Sequence, residues 1–113
     1  RHGDVFNWWL DTGNHRIMHI DSADYINSEI IGLGADIVCL CAIGRRWRPN
    51  YVRDIVDILK PRIIIPCHWD WFFDPFRATR RLLPGVDLKG FIEEIEGAGV
   101  KSALLPINGD FFD

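Results

Sequence analysis

Apolar and polar positions follow two different periods along this chain of 113 residues. Residues 5–10 are apolar and rich in aromatics, the pattern of a strand. Asp11-Thr12-Gly13-Asn14 follows. Turns require such residues, because Gly accepts a positive φ while Asp and Asn bond back to the local backbone. Residues 15–20 read as a second strand, so the pair predicts a hairpin. Residues 22–33 are polar and mixed, with a short helix expected over 27–33, closed by Gly34. Residues 36–43 form a nearly continuous apolar run, which suits a strand buried on both faces.

Gly44-Arg45-Arg46-Trp47-Arg48-Pro49-Asn50 reads as a loop, and the period then changes. Val52, Ile55, Val56 and Leu59 fall at i, i+3, i+4 and i+7, one apolar stripe along a helix. Asn50 is its candidate N-cap and Pro61 its stop. Residues 62–66 predict the next strand. Residues 69–84 are aromatic and basic, with no clear period. Leu88, Phe91, Ile92 and Ile95 predict a second amphipathic helix, ended by Gly97 or Gly99. Residues 102–105 predict a last strand. Strand, helix, strand, helix, strand implies an α/β fold with at least one right-handed crossover. The length suits one domain with a real core.

Composition narrows the choices. An apolar fraction of 48% excludes a disordered chain. A net charge of −3 offers no nucleic-acid surface. Arginines cluster at 45, 46 and 48, and again at 77, 80 and 81. Such clusters are commonly solvated faces; the alternative is contact with a substrate phosphate. No apolar run approaches the ~18 residues of a membrane-spanning helix, and the first residues do not resemble a signal peptide. The only Met is Met18, so the chain is expected to begin inside a longer protein. The cysteines number three, an odd count for a disulfide scaffold. Cys39 and Cys41 lie two apart on one strand and are poorly placed to bridge each other. Reduced core thiols in a cytoplasmic protein are the expectation. Cys67 is read as a core thiol facing away from His68.

The richest stretch for chemistry is Arg62-Ile63-Ile64-Ile65-Pro66-Cys67-His68-Trp69-Asp70. A short apolar run drives into a histidine, which is how a buried strand delivers a ligand or base to its C-terminal edge. His2 precedes the first strand, Asp21 ends the second and His68 ends this one. Zinc and similar cations take imidazole nitrogen and carboxylate oxygen. Three such groups do not, by spacing alone, separate a metal site from chance. His15 reads as an exposed hairpin residue. His19 reads as a strand residue, with a supporting role beside Asp21 as its alternative.

The order of these residues resembles the C-terminal half of a metallo-β-lactamase-fold hydrolase. It is most similar to the branch containing the ascorbate-6-phosphate lactonase and the N-acylphosphatidylethanolamine phospholipase D. The matching stretches are His15-Arg16-Ile17-Met18-His19-Ile20-Asp21-Ser22-Ala23, then Ala35-Asp36-Ile37-Val38-Cys39-Leu40-Cys41-Ala42-Ile43-Gly44, then Ile65-Pro66-Cys67-His68-Trp69. They fall within residues 1–75. The resemblance implies half of an αββα sandwich, with a mixed sheet carrying helices on one face. It implies two divalent cations, zinc or manganese, with Asp21 as the shared carboxylate, His68 as the last imidazole ligand and His2 as a further one. Ile20 stands where that family has Gly, and a one-step shift would bring Ser22 or Asp24 to the carboxylate position. The family's His-x-His-x-Asp-His motif is absent, so an N-terminal half is the implied partner.

The implied reaction is metal-assisted hydrolysis of an ester, lactone or phosphodiester in a small-molecule or lipid-like substrate, with Asp21 and His68 in the catalytic site. Trp69, Trp71, Phe72 and Phe73 would wall the pocket, unless they are core. Arg45 or Arg46 would meet a phosphate. An isolated half would expose apolar surface and favour a homodimer. The rival from another class is a non-catalytic α/β interaction or dimerisation module, supported by five Trp. A flavodoxin- or receiver-like domain is disfavoured by the turn at residues 11–14.

Overall fold

The computed structural model describes residues 6–73, 75 and 81–104. The elements are β1 (Trp8–Asp11), β2 (Arg16–Ile20), α1 (Asn27–Ile30), β3 (Ile37–Cys41), α2 (Tyr51–Leu59), β4 (Ile63–Cys67), α3 (Leu88–Gly97) and β5 (Lys101–Ser102), with a 3₁₀ turn at Arg45–Trp47. The class is α/β, built on one mixed sheet of five strands in the order β1-β2-β3-β4-β5.

The hairpin forms as the turn residues predict. Gly13 takes φ +84°, and its N–H donates to the Asp11 carboxylate at 2.8 Å. The Thr12 N–H reaches the His15 carbonyl at 2.9 Å, closing the turn. β1 pairs antiparallel with β2, while β2, β3, β4 and β5 run parallel. Each parallel step crosses over through α1, α2 or α3. Because the strand order never reverses, crossovers of one hand leave every helix on the same side of the sheet.

The burial pattern follows from that layout. Met18, Ile20, Val38, Leu40 and Ile64 point one way and join Tyr51, Val52, Ile55 and Leu59 of α2 and Phe91 and Ile95 of α3 in a single core. The alternate residues point the other way. Ile17, His19, Ile37, Cys39, Ile63, Ile65 and Cys67 are half-buried, and Trp8 and Leu10 are exposed. Among the described residues no helix covers this second face. The continuous apolar run of β3 led us to expect burial on both faces. One face is buried and the other is apolar but open. All three cysteines are free thiols on the same face of the sheet, Cys39 and Cys67 half-buried on its open side and Cys41 buried at the strand end beside His68, so none belongs to the helix-side core.

Other boundaries shift for local reasons. α1 is a single turn, shorter than the expected 27–33: Ile31 leaves helical backbone at ψ 131°, and Gly32 follows with positive φ. Asn50 sits at the N-cap of α2 but adopts φ 58°, and its side chain caps nothing. Asp87 supplies the cap of α3 instead, accepting from the Gly90 N–H. Asp36 holds the N-terminal edge of the sheet. Its carboxylate accepts from the Arg16 N–H at 2.8 Å, its own N–H donates to the Arg16 carbonyl, and its carbonyl receives the Arg62 N–H. The Arg16 N–H bonded to its carboxylate holds the Asp36 carboxyl below the usual carboxylate range.

Candidate metal centre

Three parallel strands end together. Asp21 directly follows β2, Ala42 follows β3 and His68 follows β4, all at the C-terminal edge, where open α/β sheets keep their ligand sites. His68 stops its strand by adopting φ 54°. Left-handed backbone is uncommon outside Gly and costs a side-chain-bearing residue about 1–2 kcal/mol. Strained residues of this kind concentrate at functional sites. The turn sends the imidazole toward Asp21, and His68 Nε2 lies 3.4 Å from Asp21 Oδ1. Both side chains remain partly exposed, at 48% and 37%. The Asp21 N–H donates to the Asn7 side chain at 3.4 Å, tying the site to the entry of β1.

The 3.4 Å separation is informative. A charge-assisted hydrogen bond between imidazolium and carboxylate is shorter, about 2.7–2.9 Å. Two ligands of one tetrahedral cation, each about 2.0–2.2 Å from it, stand about 3.4 Å apart. Donor type and spacing therefore fit one edge of a metal site. Among the described residues no group of three or more His, Cys, Asp or Glu side chains is placed to hold a cation. The remaining ligands of such a site would have to come from elsewhere. His2 lies outside the described residues. His15 is exposed at the hairpin, and His19 faces the open side of the sheet, between Trp8 of β1 and Cys39 of β3.

A contact that the sequence reading missed completes the surroundings of the ring. Cys41 Sγ stands 3.6 Å from His68 Nδ1, so a thiol, an imidazole and a carboxylate lie in a row. Cys41 is nevertheless no nucleophile. It is 2% exposed, and burial pushes its thiol up. Reactive thiols are accessible and shifted down. On the open face, the hydrogen bond from Cys67 lowers the Cys39 thiol, and the Cys67 proton is correspondingly harder to remove.

Next along the chain from Asp21, a cleft of about 420 Å³ is lined by Ser22, Ala23, Asp24, Ile43, Gly44, Trp47 and Arg48; Asp21 and His68 are not among its lining residues. Gly44 turns the chain out of β3 at φ +82°, and a Cβ there would press on Ala23 at 3.2 Å. Trp47 is 77% exposed, with the Arg46 guanidinium over its ring at 4.9 Å. The three loop arginines have separate tasks. Arg45 is engaged by Glu94 at 2.7 Å and lies over Phe91, which removes it as the expected phosphate contact. Arg48 clamps the Ala23 and Tyr25 carbonyls and the Asn27 side chain, and packs on the Tyr25 ring at 3.6 Å. Arg46 is the exposed one. Of the aromatics after His68, Trp69 is core rather than pocket wall, whereas Phe72 and Phe73 are exposed beside Trp71.

No family model, curated protein or solved structure matches this chain. No helix among the described residues is long and apolar enough to cross a membrane.

Proposed function

We propose that this chain is the C-terminal part of a metal-dependent hydrolase of the metallo-β-lactamase type, cleaving an ester, lactone or phosphodiester bond in a small-molecule or lipid-like substrate. The observation that carries this reading is the 3.4 Å approach of His68 Nε2 to Asp21 Oδ1 at the C-terminal edge of the sheet. A pair of divalent cations, zinc or manganese, would supply a water acidic enough to lose its proton near neutral pH. His68 offers its Nε2 lone pair to one cation, and Asp21 offers a carboxylate that two cations can share. Arg46, which lines a second cleft with Ile43, Gly44 and Trp47, offers its guanidinium to an anionic group there. Trp47 offers an apolar wall to the remainder of the substrate.

The open apolar face of the sheet supports the same reading. A face made of Ile17, Ile37, Ile63 and Ile65, edged by Trp8 and Leu10, suits a second sheet packed about 10 Å away. In this proposal an N-terminal half supplies that sheet and the missing ligands, His2 contributing from this chain. The test is metal analysis and hydrolysis by the full-length protein. Bound divalent metal and turnover, both lost in His68→Ala while the fold persists, are expected. Metal content unchanged in His68→Ala would defeat the assignment.

The open face also favours a second reading, a non-catalytic interaction or dimerisation module. That reading expects no stoichiometric metal in the full-length protein.

A further inference from the structure

We infer that the groove between the β1–β2 hairpin and α1 is a binding site for a small organic cation, an ammonium group on a short apolar stem. Neither Asp21 nor His68 lines this groove, so the site stands apart from the hydrolase reading.

The groove encloses about 300 Å³, enough for a small ligand. Its apolar lining comes from Met18 and Ile30, both buried, and from Leu33. Trp9 and Phe6 add rings that stay 38% and 65% exposed. The Trp9 indole N–H donates to the Gly34 carbonyl at 2.9 Å, which fixes that ring between the hairpin and the residues after α1. Charge then selects among ligands. Asp24 and Glu29 line the groove and are exposed, whereas no Lys, Arg or His lines it among the described residues. Nor does any described cation form an ion pair with either carboxylate. The neighbouring arginines are spent on other groups. Arg48 donates to the Ala23 and Tyr25 carbonyls and to the Asn27 side chain, and covers a face of the Tyr25 ring, while Arg16 donates to the Leu33 carbonyl at 3.4 Å. The clefts beside Gly44 differ, because arginine lines each of them. Two carboxylates at the groove repel an anion, and a neutral molecule gains nothing from them. An ammonium pairs with both and also meets aromatic rings, whose faces attract cations.

The test is a titration of the full-length protein at about pH 7, where an alkylamine carries its charge as a lysine does. It is followed at the Trp9 indole N–H resonance, assigned by its loss in Trp9→Phe. Three probes share one alkyl stem: n-butylammonium, neutral 1-butanol and anionic pentanoate. Butylammonium should shift the indole resonance saturably, butanol should bind about 10-fold more weakly, and pentanoate should not saturate. Asp24→Asn and Glu29→Gln should each weaken butylammonium about 3-fold, and the double variant about 10-fold, while butanol binding stays unchanged. Both positions are exposed, so these variants should keep the wild-type fold. Equal affinity for butanol and butylammonium would make the groove an apolar crevice and overturn the proposal. Tighter binding of pentanoate, an undiminished butylammonium affinity in the double variant, or no saturable shift in wild type would overturn it as well.

Discussion

The Tyr51 hydroxyl donates to the Cys41 carbonyl at 2.8 Å, a buried strut from the first turn of α2 to the last residue of β3. It sets the position of the strand end on which the His68 ring leans. Burial also pushes the Tyr51 phenol up, so it stays a neutral donor across the usable pH range.

Tyr51→Phe keeps the ring and deletes the strut. Loss of one buried hydrogen bond is expected to cost about 1–2 kcal/mol, read by urea denaturation. The Cys41 and His68 resonances should shift as well. Stability unchanged within about 0.3 kcal/mol would mean that the strut contributes nothing.

Neighbouring positions in β4 should respond in opposite ways. Ile64 is fully buried against the helices, whereas Ile65 faces the open side. Ile64→Thr removes a packed methyl and buries a hydroxyl, an expected loss of about 2–3 kcal/mol. Ile65→Thr should cost under about 1 kcal/mol, because Thr suits a strand and that face is half wet. Ile65→Lys should leave this chain folded yet abolish its association with a second sheet. Equal destabilisation at both positions would show that the second face is covered.

Asp36 gives a pH dependence. Its folded-state pKa lies below the ordinary value, so its contribution is present above that value and fades as pH falls through the folded one. Asp36→Asn should therefore lower stability near pH 7 and flatten the acid limb of the stability profile below about pH 4. An acid limb identical to wild type would separate Asp36 from the sheet edge.

His68 should show a trade between fold and site. His68→Gly removes a left-handed strain of about 1–2 kcal/mol at the expense of a freer unfolded chain. Thermal unfolding of this variant should therefore occur at or above the wild-type temperature, with metal binding lost. A fall of many degrees would mean that the imidazole holds the strand end together.

Much of this was legible in the sequence, for local reasons. The hairpin follows from Asp11 and Gly13, α2 from its apolar stripe, and the meeting of Asp21 with His68 from two apolar runs that end in polar residues. The open face was misread because a continuous apolar run says that both sides of a strand want cover, not that both have it. The left-handed turn at His68 was not legible, since positive φ is uncommon outside Gly even for histidine, which is enriched there. The contact of Cys41 with His68 spans 27 positions, and that of Arg45 with Glu94 spans 49. Such pairings depend on strand order, which composition does not encode. Cys41 did carry one usable signal: it lies near the end of one apolar run, as His68 does at the end of the next.

The shared-cation geometry is tested most directly by crystals of the full-length protein grown with zinc and measured at the zinc absorption edge. An anomalous peak about 2 Å from both His68 Nε2 and Asp21 Oδ1 is expected. A fully occupied Asp21–His68 pair with no peak between the two side chains would contradict it.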